Sequence, residues 1–358
     1  MTTFRPVAAP PSLGDIAARV DERIVGALDP DAQRWAGVDA DLTPPLAALR
    51  SLVLSGGKRL RPAFCYWAFV GMAGDPDDPV VIDAGCALEL LHTFALIHDD
   101  VMDASARRHG VETVHVAFSR RHRELGWRGD SDRFGDSVAI LVGDLAFVYA
   151  DRFLAGAPRA ALDVWNELRL EVNIGQYLDT NGTAARRADP ELARRICRYK
   201  SGKYTIERPM HLGAALASPT NITALLAPLS AYGDPLGEAF QLKDDMLGVF
   251  GNPSITGKPV GEDLREGKPT LLHALARRDA GAADRQFLNR RFGAGDLTTE
   301  EVAAMQEIFS RTGAAAAVAD RINRLVDQAL GAAERLPLTG DAIGALIELA
   351  RFVAGRDH

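Results

Sequence analysis

The chain has 358 residues, 48 acidic and 41 basic, for a formal net charge of −7. Apolar residues make up 47% and charged residues 25%, the balance of an ordinary globular domain and too apolar for disorder. The negative charge excludes a general nucleic-acid binder, and the 33 glycines and 19 prolines are too few and scattered for a collagen-like chain.

Residues 1–14 read as a loose arm without the basic region and apolar run of a secretory signal. One domain is expected over 15–358, because no Pro/Gly/Ser-rich linker divides it. From Asp15 onward apolar residues recur at helical spacing, which predicts an all-α fold built as a single large helical bundle. Helices are expected over 43–54, 61–71, 80–104, 138–154, 161–179, 190–216, 222–250, 271–280 and 299–335. Thr43 before Pro44 is a candidate N-cap. Gly56-Gly57, Gly74-Asp-Pro, Thr180-Asn-Gly and Gly251-Asn-Pro mark breaks. The charge-dense stretch 120–136 reads either as a solvated loop or as a flap whose cations face an anion. The charge-free run from Pro209 to Gly233 is interrupted by Pro219, Asn221 and Pro228, so no membrane span is expected. Cys65, Cys86 and Cys197 are odd in number and far apart, which fits small buried hydrophobes in a cytoplasmic protein.

Two aspartate clusters carry the chemistry. In Leu96-Ile-His-Asp-Asp-Val-Met-Asp103, Asp99 and Asp103 are four apart and share a helix face behind which Phe94, Ala95, Leu96 and Ile97 are apolar. Carboxylates grouped at a core's rim repel one another and call for a cation. An all-oxygen donor set favours Mg²⁺, which takes one or two carboxylates together with substrate phosphates. The pair Asp244-Asp245 in Gln241-Leu-Lys-Asp-Asp-Met-Leu-Gly248 repeats the pattern, which suggests two facing helices that share one site.

Cationic segments accompany them. Gly56-Gly-Lys-Arg-Leu-Arg-Pro62 places three cations at a glycine turn leading into a helix, an anion site formed with Lys58 and Arg61. Arg107 and Arg108 follow the first cluster by one turn, and their fork geometry suits diphosphate. Lys200-Ser-Gly-Lys203 and the segment from Gly257 to Lys268 are the others. The latter is no nucleotide loop: its glycines are misspaced, Pro259 stands where Ser or Thr is needed, and no strand precedes it.

Taken in order, GGKRLRP, ELLHTFALIHDDVMDASARRHG, YKSGKY, FQLKDD and GKPVGEDLREGK resemble the trans-prenyl diphosphate synthases over roughly Thr43 to Leu275. The resemblance implies the isoprenoid-synthase helical bundle with a central active-site cavity and a geranylgeranyl diphosphate synthase-like activity. It implies that Asp99, Asp100 and Asp103 hold Mg²⁺ against an allylic diphosphate, with Asp244 and Asp245 holding a third ion. Lys200 and Lys258 would grip that diphosphate, helped by Arg107, Ser201, Gln241 and Lys268. Lys58, Arg61, His92 and Arg108 would hold isopentenyl diphosphate; outside this context His92 would read as a core histidine. Condensation of isopentenyl diphosphate with C5 to C15 allylic diphosphates needs no side-chain nucleophile, and none is evident.

Two positions bear on the outcome. Gly248 stands where the family's second motif usually has an aspartate; Asp244, Asp245, Lys258 and Asp263 remain. The product should grow down the helix from Asp99, so the aromatic Phe94, five before it, forms a floor, while Ala95 is small. This resembles geranylgeranyl-type synthases and implies a C20 product, with C15 or longer chains as alternatives. A terpene cyclase would not need GGKRLRP and should carry a different second metal motif; a non-catalytic partner subunit should lack the aspartates. By the same resemblance a homodimer is expected.

Overall fold

The computed structural model describes residues 8–108, 110–251 and 261–355. Two helical units are distinguished by their internal contacts: Pro11–Leu162 with Leu212–Pro219, and Met1–Pro10, Asp163–His211 and Thr220–His358. The only strands among the described residues form a two-residue hairpin.

In the first unit, α1 (Pro11–Ala36) buries Leu13, Ile16, Val20, Ile24 and Leu28, one stripe at three- and four-residue spacing. The helix therefore starts four residues before the expected Asp15, because Leu13 already has a core to enter. A 3-10 turn (Ala40–Leu42), capped by the Asp39 carboxylate, leads into α2 (Thr43–Val53). Thr43 is thus inside the helix, and the capping expected of it falls to Asp39 one turn earlier.

Next come α3 (Leu60–Gly71) and α4 (Pro79–Met102). Asp78 caps α4 by accepting from the Val80 N–H, and Pro79 fills the first turn. Its apolar residues run all round it, as befits a helix packed on several sides by α1, α3 and α6 (Ser131–Phe153). Among the described residues only α4 is long and apolar enough to cross a membrane, but 67% of that stretch is buried within the protein, as in a core helix.

After α4, Arg107–Arg108 pairs antiparallel with Val111–Glu112. The arginines expected one helical turn past Asp103 therefore sit on a hairpin. α5 (Val114–Glu124) and α6 then absorb most of the charge-dense 120–136 stretch. Arg120 pairs with Glu112 and Glu124, Arg123 pairs with Asp132, and His122 is buried between Trp127 and Phe134. These three side chains serve the local structure.

The main part of the second unit starts at Asp163, within α7 (Arg159–Ala184), which runs straight through the expected break at Thr180-Asn-Gly. Thr180 Oγ1 donates to the Gln176 carbonyl at 3.0 Å, and a side chain at Gly182 would press on Pro269 and Leu192. Packing outweighs the turn propensity. The single helix expected over 190–216 is three pieces: α8 (Pro190–Ile196), a π-helical stretch (Cys197–Glu207) and α9 (Arg208–Ala217), which from Leu212 onward belongs to the first unit. The π stretch lies against α10 (Ile222–Phe250) backbone to backbone: a Cβ on Gly237 would come within 2.5 Å of the Gly202 carbonyl oxygen.

Five shorter helices and a long one complete this unit: α11 (Glu262–Glu266), α12 (Leu271–Asp279), α13 (Ala282–Arg291), α14 (Thr299–Arg311), α15 (Ala314–Ala333) and α16 (Gly340–Gly355). The expected 299–335 helix is broken at Gly313, whose φ of +79° is left-handed. Leu242, Val249, Leu272, Met305, Phe309 and Ile322 form the core of this unit. Core packing on one side of α10 leaves the Gln241–Gly248 carboxylates at its edge.

Candidate active site

In the first unit the aspartates occupy the last turn of α4. Asp99 and Asp103 are partly exposed, and the Asp103 N–H closes the helix by donating to the Asp99 carbonyl at 2.8 Å. Asp100 points the other way and is buried. Arg108 reaches it from the hairpin with three hydrogen bonds of 2.6–3.1 Å, and lies 3.7 Å from Asp99. Burial pushes the Asp100 carboxyl up, against the pull of Arg108. The three aspartates thus divide: Asp99 and Asp103 face outward, and Asp100 anchors the hairpin. Arg107 donates to the Gly110 carbonyl at 2.7 Å, which tightens the same turn.

The anion turn separates similarly. Gly56 and Gly57 have φ of +105° and +134°, values open to glycine, and carry the chain into α3. Arg59 is left-handed too (φ 47°) and buried. Its guanidinium donates to Glu89 (2.6 Å), Asp21 (2.7 and 3.0 Å) and the Val53 carbonyl (2.6 Å). Sequence alone gives Arg59 the same standing as its neighbours; here it is an anchor, and Lys58 and Arg61, half-buried on either side, are the candidate anion contacts. His92 is half-buried on α4, against which α3 packs.

Phe94 is half-buried on the same helix, one turn below Asp99. Its ring lies 4.9 Å from Phe147 of α6 and 4.5 Å from His98. His98 is held by the Ile140 carbonyl at 3.0 Å, in the space left by Gly143, where a Cβ would stand 2.3 Å from the imidazole. Phe94 is therefore braced by two rings, while Ala95 beside it adds little bulk. Phe147 was not singled out from sequence, and no motif marks it.

In the second unit Lys200 lies on the π stretch and bonds Asp179 of α7 at 2.5 Å. Ser201 is half-buried next to it. Lys203, from the same sequence cluster, is buried instead and bonded to Glu171 at 2.8 Å and Glu207 at 3.3 Å. Arg208 binds Glu171 through two nitrogens and donates to His211 Nδ1 at 3.1 Å. His211 Nε2 then carries the proton and lies 3.2 Å from both the Leu226 carbonyl and Ser230 Oγ, while Ser230 donates to Glu207. Sequence missed this buried network, because its members look like ordinary surface charges spread over some sixty residues.

At the edge of α10, Asp244 and Asp245 are joined by Asp263 of α11. A Cβ on Gly248 would lie 2.1 Å from Asp263 Oδ2. The position where an aspartate was expected is vacated, and a carboxylate from another helix fills that space. Asp245 is buried and its carboxyl is pushed up to about 8, first by burial, with Asp263 and Asp244 adding to the rise. Gln241 donates to it at 2.7 Å. Lys268 lies 3.8 Å from Asp263 and 2.7 Å from Glu266. Three crowded carboxylates offer oxygen donors of the kind a hard divalent cation takes, but among the described residues no group of three or more His, Cys, Asp or Glu side chains is spaced to hold an ion. Lys258 lies outside the described residues.

These features agree with relatives of the chain. Residues 45–309 match the family model described as polyprenyl synthetase. The chain is 33% identical over 341 residues to a short chain isoprenyl diphosphate synthase of Methanothermobacter thermautotrophicus, covering 89% of this chain and 93% of the relative. It is 31% identical to a (2E,6E)-farnesyl diphosphate synthase of Mycobacterium bovis, covering 84% and 80%. The crystal structure of geranylgeranyl pyrophosphate synthase from Corynebacterium glutamicum, complexed with isoprenyl diphosphate and magnesium, superposes with a TM-score of 0.89 at 38% identity, covering 96% of this chain and 99% of that one. The chain therefore belongs to the polyprenyl synthetase family and is an all-α prenyltransferase.

Proposed function

We propose that the enzyme condenses isopentenyl diphosphate with C5 to C15 allylic diphosphates and stops at geranylgeranyl diphosphate. The observation that carries this reading is the braced Phe94 one turn below Asp99, with Phe147 and His98 behind it. A hydrocarbon growing along α4 meets that wall.

The crowded carboxylates support Mg²⁺ as the cofactor, with three ions in the full complex. Asp99 and Asp103, then Asp244 and Asp245 with Asp263, are the residues that hold it, and Asp100 acts with them through Arg108. When bound, Mg²⁺ neutralises charge on the departing diphosphate. The protein's own groups do the rest. Lys200 and Lys258, with Arg107, Ser201, Gln241 and Lys268, hold the allylic diphosphate. Lys58, Arg61, His92 and Arg108 hold isopentenyl diphosphate so that its double bond can attack C1 as the allylic C–O bond breaks. The apolar side chains of α4 keep water away from the allylic cation, and a proton is then lost to the released diphosphate.

We also propose that residues 15–358 act as one catalytic domain and that two copies pair. Apolar stripes exposed at Ile140, Leu141 and Val148 on α6, and separately at Leu170, Ile174 and Tyr177 on α7, support a second copy as partner. Three buried free thiols fit the reducing cytoplasm.

Incubation with Mg²⁺, isopentenyl diphosphate and each of the C5, C10 and C15 allylic diphosphates tests the reading. Released diphosphate and a C20 product are expected. No diphosphate release from any mixture would overturn it, and a C15 end product would overturn the floor.

A further inference from the structure

A cavity of about 340 Å³ lies within the second unit, and none of the candidate site residues lines it. Its floor is the flat stack of His273 on Phe292, whose ring centroids are 3.5 Å apart and nearly parallel. Gly267 and Gly293 form one wall with left-handed φ of +73° and +78°; a Cβ on Gly267 would come 2.8 Å from the Gly293 Cα. Three arginines line it, Arg186, Arg187 and Arg277, together with Asn289.

The charges there are uneven. Among the described residues the guanidinium groups of Arg186 and Arg277 have no hydrogen-bond or ion-pair partner. Arg187 faces Asp189 only at 3.8 Å, both well exposed, which is a weak pair. The carboxylate in the lining, Glu266, is engaged by Lys268 at 2.7 Å. His273 is buried and neutral, since burial and then the Arg277 charge push its pKa down to about 3. Its Nδ1 has no hydrogen-bond partner.

Arg186 also sits where arginine is a poor choice. The N–H of Arg187 donates to Gly182 and that of Arg186 to Thr183, both at 3.0 Å, the paired bonds of a Schellman C-cap. In that motif Arg186 takes the left-handed position (φ 49°), where glycine would be less strained. An arginine, and not the less strained glycine, thus stands in the cavity lining.

We propose that this cavity binds a small anion bearing at least two phosphate charges, held by the three arginines and Asn289 over the His273–Phe292 floor. Inorganic diphosphate and the head group of a prenyl diphosphate share that chemistry.

Calorimetric titration of the full chain in EDTA, with inorganic diphosphate and with geranyl diphosphate, tests the proposal. Arg186→Gly relieves the left-handed strain, so the fold is kept, and Arg277→Gln keeps a polar side chain. Each is expected to weaken binding of at least one probe about tenfold, as for loss of a charge-assisted contact. Lys200→Gln and Asp244→Asn, which alter the active site proposed above, should leave unchanged the binding that Arg186→Gly and Arg277→Gln weaken, while weakening geranyl diphosphate at the active site and abolishing diphosphate release with substrates. Unchanged affinity of both probes in Arg186→Gly and Arg277→Gln overturns the proposal, as does loss of the binding in Lys200→Gln.

Discussion

The Asp263 carboxylate occupies the space that a side chain on Gly248 would fill, 2.1 Å from where its Cβ would be. The aspartate pair on α10 thus gains a third carboxylate from a helix that begins fourteen residues after Gly248. Because the space is shared, the two positions cannot be altered independently.

Gly248→Ala should therefore act as a mutation of Asp263. Displacing that carboxylate is expected to lower diphosphate release roughly 10–100-fold, the usual range for disturbing groups around a metal site. Asp263→Asn should match it, and the double variant should be little worse than either single one. Steady-state kinetics across a Mg²⁺ titration checks this; additive losses would separate the two residues.

Removing the Arg59 guanidinium should damage stability first. Arg59→Ala leaves Glu89 buried and unpaired, which costs roughly 3–5 kcal/mol. Urea denaturation reads the loss. Among molecules still folded, KM for isopentenyl diphosphate should rise more than kcat falls, because Lys58 and Arg61 flank the loosened turn.

Product length should follow the aromatic brace. Phe94→Ala removes the floor and should lengthen the product, detected by chromatography of radiolabelled prenyl alcohols. Phe147→Ala should do the same more weakly, since it only supports Phe94 from behind. A C20 product from both variants would place the floor elsewhere.

Acid stability should depend on His211. Burial lowers its pKa to about 4 from the ordinary 6.5, so below pH 6.5 the unfolded chain binds a proton that the folded chain refuses. Stability contributed by the neutral ring is therefore full above pH 6.5 and lost as pH falls toward 4, at up to about 1.4 kcal/mol per pH unit. His211→Gln should flatten that limb of a urea-midpoint profile while lowering the plateau. An unaltered slope would mean that other groups govern it.

Helix content and both aspartate clusters were legible in the sequence because they rest on local spacing: the apolar period of α4 and α10, and carboxylates at their ends. Roles decided by distant partners were not. Arg59 and Lys203 look like Lys58 and Lys200 in the chain, yet Glu89 and Glu171 draw them into buried pairs. Thr180-Asn-Gly reads as a turn, but contacts with Pro269 and Leu192 keep it helical. Asp263 is plain in the sequence, but nothing in its own segment shows that it joins the α10 pair.

The π stretch from Cys197 to Glu207 has a genetic consequence. Wider turns accommodate more residues than an α-helix would in the same length, so the segment behaves as an insertion that was absorbed without breaking the helix. A single-codon deletion there could restore ordinary winding and leave the core helices intact. It would also re-aim the residues inside the stretch, since each residue of an α-helix turns by about 100°. Lys200 and Lys203 could then no longer face Asp179 and Glu171 together. A one-residue deletion at this point is thus expected to keep the fold and lose the chemistry.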